Sequence, residues 1–225
     1  MSTMSLRNDA SLTLKTSFDE ENIFKADIEG YDKDNYKLAY DLACGLAAKS
    51  RYAGQLRCIH YSVLHHSYLV GIAAEHLGLS NDVVRQAYLH DIGEAFFADI
   101  PSPFKTAYDK FREQALVCEI SRLLDFEIGE PCGEVKSLDN VAALVEASIL
   151  GKANGSWIWV TAEMLNLTPY EYQMFDAMCK IINNEGWFEE SREELSTADL
   201  IKIDQQALNN LIVNFPLTLQ RLEII

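Results

Sequence analysis

The chain has 225 residues, 48% of them hydrophobic, and a formal net charge of −15 at pH 7. This length accommodates one domain, or one domain with an appendage, and a substantial buried core. The negative charge argues against binding to long nucleic acid through its phosphates, and no apolar run reaches the length of about 18 residues that a membrane-spanning helix requires.

The N-terminal part of the chain changes character at about residue 34. Residues 1–33 are polar and mixed, and we predict an N-terminal arm that is either extended or a short strand pair. From about Asp34, apolar residues recur at three-to-four spacing, which predicts a helix. This helix leads into the basic and aromatic pair Arg51-Tyr52, and Gly54 indicates a turn there.

The next two predicted helices carry the histidines of interest. The first begins near Ser62 and ends at Gly78, and its apolar stripe includes a histidine. This stripe consists of Val63, His66, Val70, Ala73 and Leu77. The second helix has Ser80 as its N-cap and carries His90 and Asp91.

Two further helices are predicted between Lys105 and residue 150. The first is predicted from apolar residues at helical spacing, namely Tyr108, Phe111, Ala115, Leu116, Ile120 and Leu123. The loop 129–133 separates it from a second helix that runs from about Val135 to Leu150, with Asp139 at the edge of its buried side. Glu146 lies two turns further along the same face, and we interpret it as a structural partner rather than a catalytic residue.

The C-terminal part is also predicted to be helical. Residues 151–156 have the composition of a linker. Thr168 and Glu171 form a capping-box pattern around Pro169, which predicts a helix to about Asn183. A last helix is predicted from the apolar residues Leu200, Ile203, Leu208, Leu211 and Ile212. We therefore expect an all-α fold, with a core at 34–150 and a helical extension at 151–225 packed on it.

Several charged residues lie inside the apolar segment 88–105. His90 and Asp91 are adjacent, Glu94 follows one helical turn later, and Asp99 precedes two prolines that end a helix. On one continuous helix His90, Asp91 and Glu94 can face the same cavity. Because a buried carboxylate is costly unless it is paired or bound to a cation, this pattern suggests a divalent metal.

Further metal ligands have to come from outside this segment. All five histidines occur by residue 90, so a second imidazole must precede His90. His66 and Asp139 are the best placed, since each lies on an apolar helical stripe where an unpaired polar group is costly. Two imidazoles and two carboxylates suit Mn²⁺, Co²⁺, Fe²⁺ or Zn²⁺ better than Ca²⁺, and too few histidines remain for a second metal.

These motifs resemble those of the HD-domain phosphohydrolases, particularly the 5′-deoxynucleotidase-like branch. The resemblance covers residues 34–150 and includes Arg51-Tyr52, which is similar to the Arg-aromatic pair of that branch. Its other motifs are Tyr61-Ser-Val-Leu-His-His66-Ser, Leu89-His-Asp-Ile-Gly-Glu94, Asp99-Ile-Pro-Ser-Pro-Phe-Lys105 and Val135-Lys-Ser-Leu-Asp139. The resemblance implies an HD-domain helical bundle around one metal site, and a homodimer would fit it.

The resemblance also implies roles for individual residues. Its metal ligands would be His66, His90, Asp91 and Asp139. Glu94 and Asp99 would position and deprotonate water and assist the leaving oxygen. Arg51 and Tyr52 would hold the phosphate and nucleoside, and we add Lys105 as a candidate substrate contact.

The chain departs from the family pattern at two positions. His65 stands where the family usually has a small polar or acidic residue, so it is either a second-shell partner of the metal site or a bystander. Tyr52 stands where the best-known members have a tryptophan, which leaves the base and sugar preference open.

The function that we predict is metal-dependent hydrolysis of (deoxy)nucleoside 5′-monophosphates to nucleoside and phosphate. Two alternatives stay open: a dNTP triphosphohydrolase with the same metal site, and an inactive nucleotide-binding or regulatory module. The five cysteines contain no Cys-x-x-Cys pair, and the N-terminus has no secretion signal, so we expect a cytoplasmic protein without a disulfide framework.

Overall fold

A computed structural model describes residues 15–19, 22–27, 35–54, 60–96, 105–150, 166–184 and 196–225. Within these residues the fold is all-α, as predicted, apart from one N-terminal strand pair. The seven α-helices of the described residues are α1 (Asn35–Ala47), α2 (Val63–His76), α3 (Asn81–Leu89), α4 (Ala107–Leu124), α5 (Gly133–Leu150), α6 (Pro169–Asn184) and α7 (Thr197–Arg221). Single 3-10 turns occur at Arg51–Gly54 and Ile92–Ala95.

The strand pair consists of β1 (Lys15–Asp19) and β2 (Asn22–Asp27). The strands run antiparallel, with an irregularity in register between Ser17 and Phe18. Of the two forms proposed for the N-terminal arm, the strand pair is therefore confirmed for these residues.

Helix ends follow the local sequence signals. The side chain of Ser62 accepts a hydrogen bond from the backbone N–H of His65, and Ser80 caps α3 in the same way. Thr168 and Glu171 form the expected capping box at the start of α6, with the Thr168 N–H donating to Glu171 at 2.8 Å. Gly78 adopts a φ of 67°, a conformation that glycine tolerates best and that ends α2 as predicted.

One hydrophobic core joins the central helices to the two C-terminal ones. α2 lies at the centre and packs against α3, α5 and α6, while α7 packs along α1. The core includes Leu42 of α1, Leu69 of α2, Leu138 of α5, Met178 of α6 and Phe215 of α7. The described C-terminal helices therefore pack on residues 34–150, whereas the predicted linker at 151–156 lies outside the described residues. No helix among the described residues combines the length and the apolar character needed to cross a bilayer.

The prediction of a continuous helix through Glu94 was wrong. α3 ends at Leu89, His90 is its C-cap, and Asp91 departs from helical geometry with φ −103° and ψ 14°. Glu94 then lies in the separate 3-10 turn Ile92–Ala95, which packs tightly between α1 and α4. The local sequence pattern did not show this break, since the turn packs against α1 and α4, which are distant in sequence.

Some of the apolar residues that predicted these helices are exposed. Tyr108 and Phe111 at the start of α4 are each 47% exposed, and Ile203 in α7 is 39% exposed. The buried residues of α4 are the more C-terminal Leu116, Ile120 and Leu124. Only the second half of α4 therefore packs into the core, although the apolar spacing extends over the whole helix.

We expect Gly45→Ala to destabilise the protein despite the better helix propensity of alanine. A Cβ at Gly45 would lie 2.5 Å from the carbonyl oxygen of Ala95, so α1 and the 3-10 turn would have to separate. The expected loss is about 1–3 kcal/mol of the free energy of unfolding, measured by urea denaturation. Gly133→Ala is the control, since a Cβ there meets no atom within 4 Å; equal stability of the two variants would contradict the tight packing.

Candidate metal centre

Three side chains from separate elements converge at one point. His66 lies in α2, His90 follows α3, and Asp139 lies in α5. The Nε2 atoms of the two imidazoles are 3.2 Å apart. Asp139 Oδ1 lies 3.0 Å from His66 Nε2 and 3.9 Å from His90 Nε2. These three residues form a group that could hold a metal ion.

Asp91 adjoins this group on the side of Arg51. Its Oδ2 lies 3.6 Å from His66 Nε2 and 3.3 Å from His90 Nε2. The same oxygen is 3.7 Å from Arg51 Nη1. The set of ligand atoms that all lie within 4.8 Å of one another contains His66, His90 and Asp139 but not Asp91. Three of the four predicted ligands therefore come together, and the fourth borders both imidazoles.

The hydrogen bonds of the two imidazoles determine which ring nitrogen faces the group. His66 Nδ1 is 2.6 Å from Glu146 Oε1, and His90 Nδ1 is 2.8 Å from the carbonyl oxygen of Ala87. An ionised carboxylate and a carbonyl only accept hydrogen bonds, so both Nδ1 atoms must donate. In a neutral imidazole this leaves the Nε2 lone pair available, and both Nε2 atoms point into the group.

The spacing of the donor atoms fits a metal ion. Metal–nitrogen and metal–oxygen bonds of about 2.0–2.2 Å place neighbouring ligand atoms about 3–3.5 Å apart. The separations from His66 Nε2 to His90 Nε2 and to Asp139 Oδ1, 3.2 and 3.0 Å, agree with this spacing. Imidazoles that donate through Nδ1 to a carboxylate or carbonyl are typical of metal-ligating histidines. The identity of the metal stays open.

In the metal-free protein, neighbouring carboxylates raise the pKa of both histidines of this group. Burial and Arg51 lower the pKa of His66, but Glu146 and Asp139 raise it more, to about 10. Burial also lowers the pKa of His90, and the carboxylates of Asp91 and Asp139 bring it above its ordinary value. The site thus attracts positive charge, whether that charge is carried by protons or by a cation.

The pKa values of the two carboxylates of the group are shifted in the opposite direction, below their ordinary values. Burial alone would raise the pKa of Asp139, but the hydrogen bond and charge of His66 hold it below its ordinary value. For Asp91, burial is outweighed by His90, His66 and Arg51, which keep its pKa far below the ordinary range. Both carboxylates are therefore ionised at neutral pH and available as ligands.

A third carboxylate, Glu146, lies fully buried behind His66. Its Oε1 accepts hydrogen bonds from His66 Nδ1 at 2.6 Å and from the hydroxyl of Tyr61 at 3.1 Å. Its Oε2 accepts from Arg51 Nε at 3.2 Å and from the hydroxyl of Tyr52 at 3.0 Å. Sequence reasoning placed Glu146 on the buried face of α5 but did not identify its partners, since three of them come from residues 51–61, outside any predicted helix.

Arg51 and Tyr52 lie next to the group, on the 3-10 turn that follows α1. Tyr52 has a φ of 53°, which is uncommon for a residue other than glycine. Its hydroxyl lies within hydrogen-bonding distance of both Glu146 Oε2 and the carbonyl oxygen of Ala143, at 3.0 and 3.1 Å. Glu146 and α5 thus hold this turn against the candidate metal centre, while its role in binding substrate stays a prediction.

Of the two predicted catalytic carboxylates, Glu94 lies within the described part of the chain and can be placed. Glu94 is 5% exposed, and its Oε1 accepts a hydrogen bond from Lys105 Nζ at 3.0 Å. Lys105 also donates to Glu113 at 3.0 Å, so the lysine predicted to contact substrate is engaged with two carboxylates. Asp99 lies outside the described residues.

The remaining histidines have structural or exposed positions. His65 completes the capping box of α2: its Nδ1 accepts from the N–H of Ser62 at 3.2 Å, and its ring stacks on Tyr61. Of the two interpretations of His65, these contacts support the bystander, since the ring caps α2 and stacks on Tyr61. His60 Nε2 lies 2.7 Å from the carbonyl oxygen of Ala47, and His76 is exposed at the end of α2.

A half-open cavity of about 480 Å³ reaches His90 from the side of α4. Its walls come from α4 and the loop that joins α4 to α5, and they combine apolar and charged groups. Besides His90 they include Lys110, Phe111, Glu113, Val117, Ile128 and Glu130. The exposed Phe111 is thus part of a cavity next to the candidate metal centre.

Comparison of the chain with models of known protein families gave no match. Comparison with curated proteins gave no significant match either. The chemistry of the site is therefore inferred from its own residues and from the motifs that they form.

We expect the protein to bind about one divalent ion and to lose it when a ligand is removed. His66→Ala and Asp139→Asn should lower the metal content after equilibration with Mn²⁺ or Zn²⁺ at least about tenfold, measured by elemental analysis. His76→Ala, which changes an exposed histidine of the same helix, should keep the wild-type content. Asp91→Asn tests whether the adjoining carboxylate is a fourth ligand. Equal metal in all four variants would rule the site out.

We also expect metal binding to release protons. Because the pKa of His66 is raised to about 10, its ring is protonated in the metal-free protein at pH 7, and a bound metal must displace that proton. Metal affinity should therefore rise between pH 6 and 8 by about tenfold per unit for each proton released. Calorimetry in buffers of different ionisation enthalpy measures the number of protons released on metal binding. A metal affinity that does not change with pH would contradict the assignment of His66 as a metal ligand.

Proposed function

We propose that the chain is a metal-dependent phosphohydrolase of the HD-domain type that converts (deoxy)nucleoside 5′-monophosphates to nucleoside and phosphate. The observation that carries the proposal is the convergence of His66, His90 and Asp139 beside Arg51. A cation-binding group next to an arginine suits a phosphoryl substrate, because both stabilise negative charge on its oxygens. The order of motifs from Arg51 to Asp139 along the chain supports the same assignment.

A divalent metal, when bound, would lower the pKa of water and screen the charge of the phosphoryl oxygens. The chain's own residues supply the remaining functions. Arg51 would hold the phosphate, since its Nη1 lies on the Asp91 side of the centre, 3.7 Å from Asp91 Oδ2. The Nδ1 protons of His66 and His90 are donated to Glu146 Oε1 and to the carbonyl oxygen of Ala87, so in the metal-bound state neither ring would donate a proton to the substrate.

Proton transfer is assigned to the carboxylates. The water oxygen forms a bond to phosphorus while the bond from phosphorus to the nucleoside 5′ oxygen breaks. We assign Glu94 to accept the proton from the attacking water, and Asp99 to assist protonation of the leaving oxygen. Lys105, which donates to Glu94 at 3.0 Å, would hold this carboxylate in place rather than contact the substrate itself.

The scarcity of basic groups in the cavity that reaches His90 supports a small phosphate ester as the substrate. Its described walls contain Lys110 together with Glu113 and Glu130, so the acidic groups outnumber the basic one. A triphosphate needs several cationic partners to offset its charge, whereas a monophosphate can be held by Arg51 and the metal centre. We therefore place the monophosphate ahead of the triphosphate. Cytoplasmic location and dimer formation stay predictions.

We expect the Mn²⁺- or Co²⁺-loaded protein to release inorganic phosphate from deoxynucleoside 5′-monophosphates. Arg51→Ala should lower kcat/KM about 100-fold or more, because it removes a charge-assisted contact to the phosphate. A phosphate assay over a panel of nucleotides measures the activity, and chromatography of the products separates phosphate from triphosphate release.

Lys202→Ala is a suitable control for the Arg51 variant, since it removes one positive charge from the exposed face of α7. Triphosphate as the product would favour the triphosphohydrolase. Metal binding without hydrolysis of any nucleotide would favour the inactive binding or regulatory module.

A further inference from the structure

We propose that Glu146 is a positioning residue that orients two groups at once: His66 toward the metal and Arg51 toward the substrate. The first half depends only on the candidate metal centre. The second half rests on the proposed function, because it assumes that Arg51 binds phosphate. Glu146 itself lies behind His66 and belongs neither to the metal-ligand group nor to the assigned proton-transfer residues.

The environment of Glu146 is unusual for a carboxylate. Its side chain has no exposed surface, yet each of its two oxygens accepts hydrogen bonds from two donors, which makes four in all. Burying a charge of this kind costs several kcal/mol unless the surrounding donors compensate it. A helix such as α5 would be more simply packed with a leucine at this position, so the four donors point to a role beyond packing.

The contact to His66 fixes a tautomer and a ring orientation. At 2.6 Å, the hydrogen bond from His66 Nδ1 to Glu146 Oε1 is short, as charge-assisted bonds are. It places the ring so that Nε2 lies 3.0 Å from Asp139 Oδ1 and 3.2 Å from His90 Nε2. A carboxylate behind a ligating imidazole also increases its basicity, which strengthens its bond to a metal.

The contact to Arg51 fixes the direction of the guanidinium group. Arg51 Nε donates to Glu146 Oε2 at 3.2 Å, and on the same group Nη1 lies 3.7 Å from Asp91 Oδ2. The guanidinium is planar, so holding Nε on one side determines where the Nη atoms can point. Because one carboxylate holds both groups, a change at Glu146 should alter metal binding and phosphate binding together.

The first test uses the full-length protein loaded with Zn²⁺, which is diamagnetic. Nitrogen-15 NMR of the wild type should show His66 bound to zinc through Nε2, with its Nδ1 proton shifted strongly downfield. A spectrum in which His66 binds zinc through Nδ1, or does not bind it, overturns the proposal without any variant. The five histidines of the chain make the assignment feasible.

The second test compares Glu146→Gln with Glu134→Gln, an exposed change on the same helix. Glu146→Gln should weaken Zn²⁺ binding about 10- to 100-fold in a chelator competition and remove the downfield proton. Glu134→Gln should leave both unchanged. Wild-type zinc affinity together with a retained His66 resonance in Glu146→Gln would overturn the first half of the proposal.

The third test measures binding of inorganic phosphate to the Zn²⁺-loaded protein, which requires no turnover. Arg51→Lys and Glu146→Gln should each weaken phosphate binding, and the double variant should lose less than the product of the two single effects, since both remove the same arrangement. Independent effects would overturn the second half. If Arg51→Lys alone leaves phosphate binding unchanged, the assignment of Arg51 in the proposed function fails, while the zinc and NMR results stand.

Discussion

The arrangement on which the rest of the site depends is the approach of two imidazole nitrogens to 3.2 Å beside a carboxylate. Two lone pairs that face each other inside a protein repel unless a proton or a metal lies between them. The neighbouring carboxylates raise the pKa of both histidines: Glu146 and Asp139 act on His66, and Asp91 and Asp139 act on His90. A group of this kind is stabilised by a bound cation or by a shared proton, which is the physical reason why it is a candidate metal centre.

The fold brings the candidate ligands from three helical segments to one place. α2 is buried on nearly all sides, so His66 cannot turn away from the interior. α3 ends at Leu89, and the turn that follows directs His90 and Asp91 to the same region. Gly45 allows this turn to lie against α1, because no side chain separates the two backbones. The geometry of the site therefore depends on packing at a glycine outside it.

Much of the fold was predictable from the sequence, because helix periodicity and caps are local signals. The starts of α2, α3 and α6 follow Ser62, Ser80 and Thr168, which accept backbone hydrogen bonds as expected. The break after Leu89 was not predictable, since tertiary packing overrides the local helical pattern there. In the site, residue type and spacing indicated His66, His90 and Asp139, but the hydrogen bonds of Glu146 join residues up to 95 positions apart, which local patterns do not reveal.

The carboxylates of the site differ in function because their surroundings differ. Asp139 keeps 44% of its side chain exposed and belongs to the group that could hold a metal, whereas Glu146 has no exposure and only protein donors. Burial alone would raise the pKa of Glu146, but Arg51 and His66 keep it below its ordinary value, so the residue remains charged at the centre of the bundle. A permanent charge at this depth is useful only if it holds its donors in place. The buried Glu146 thus supports the geometry of the site, and Asp91 and Asp139 remain available as metal ligands.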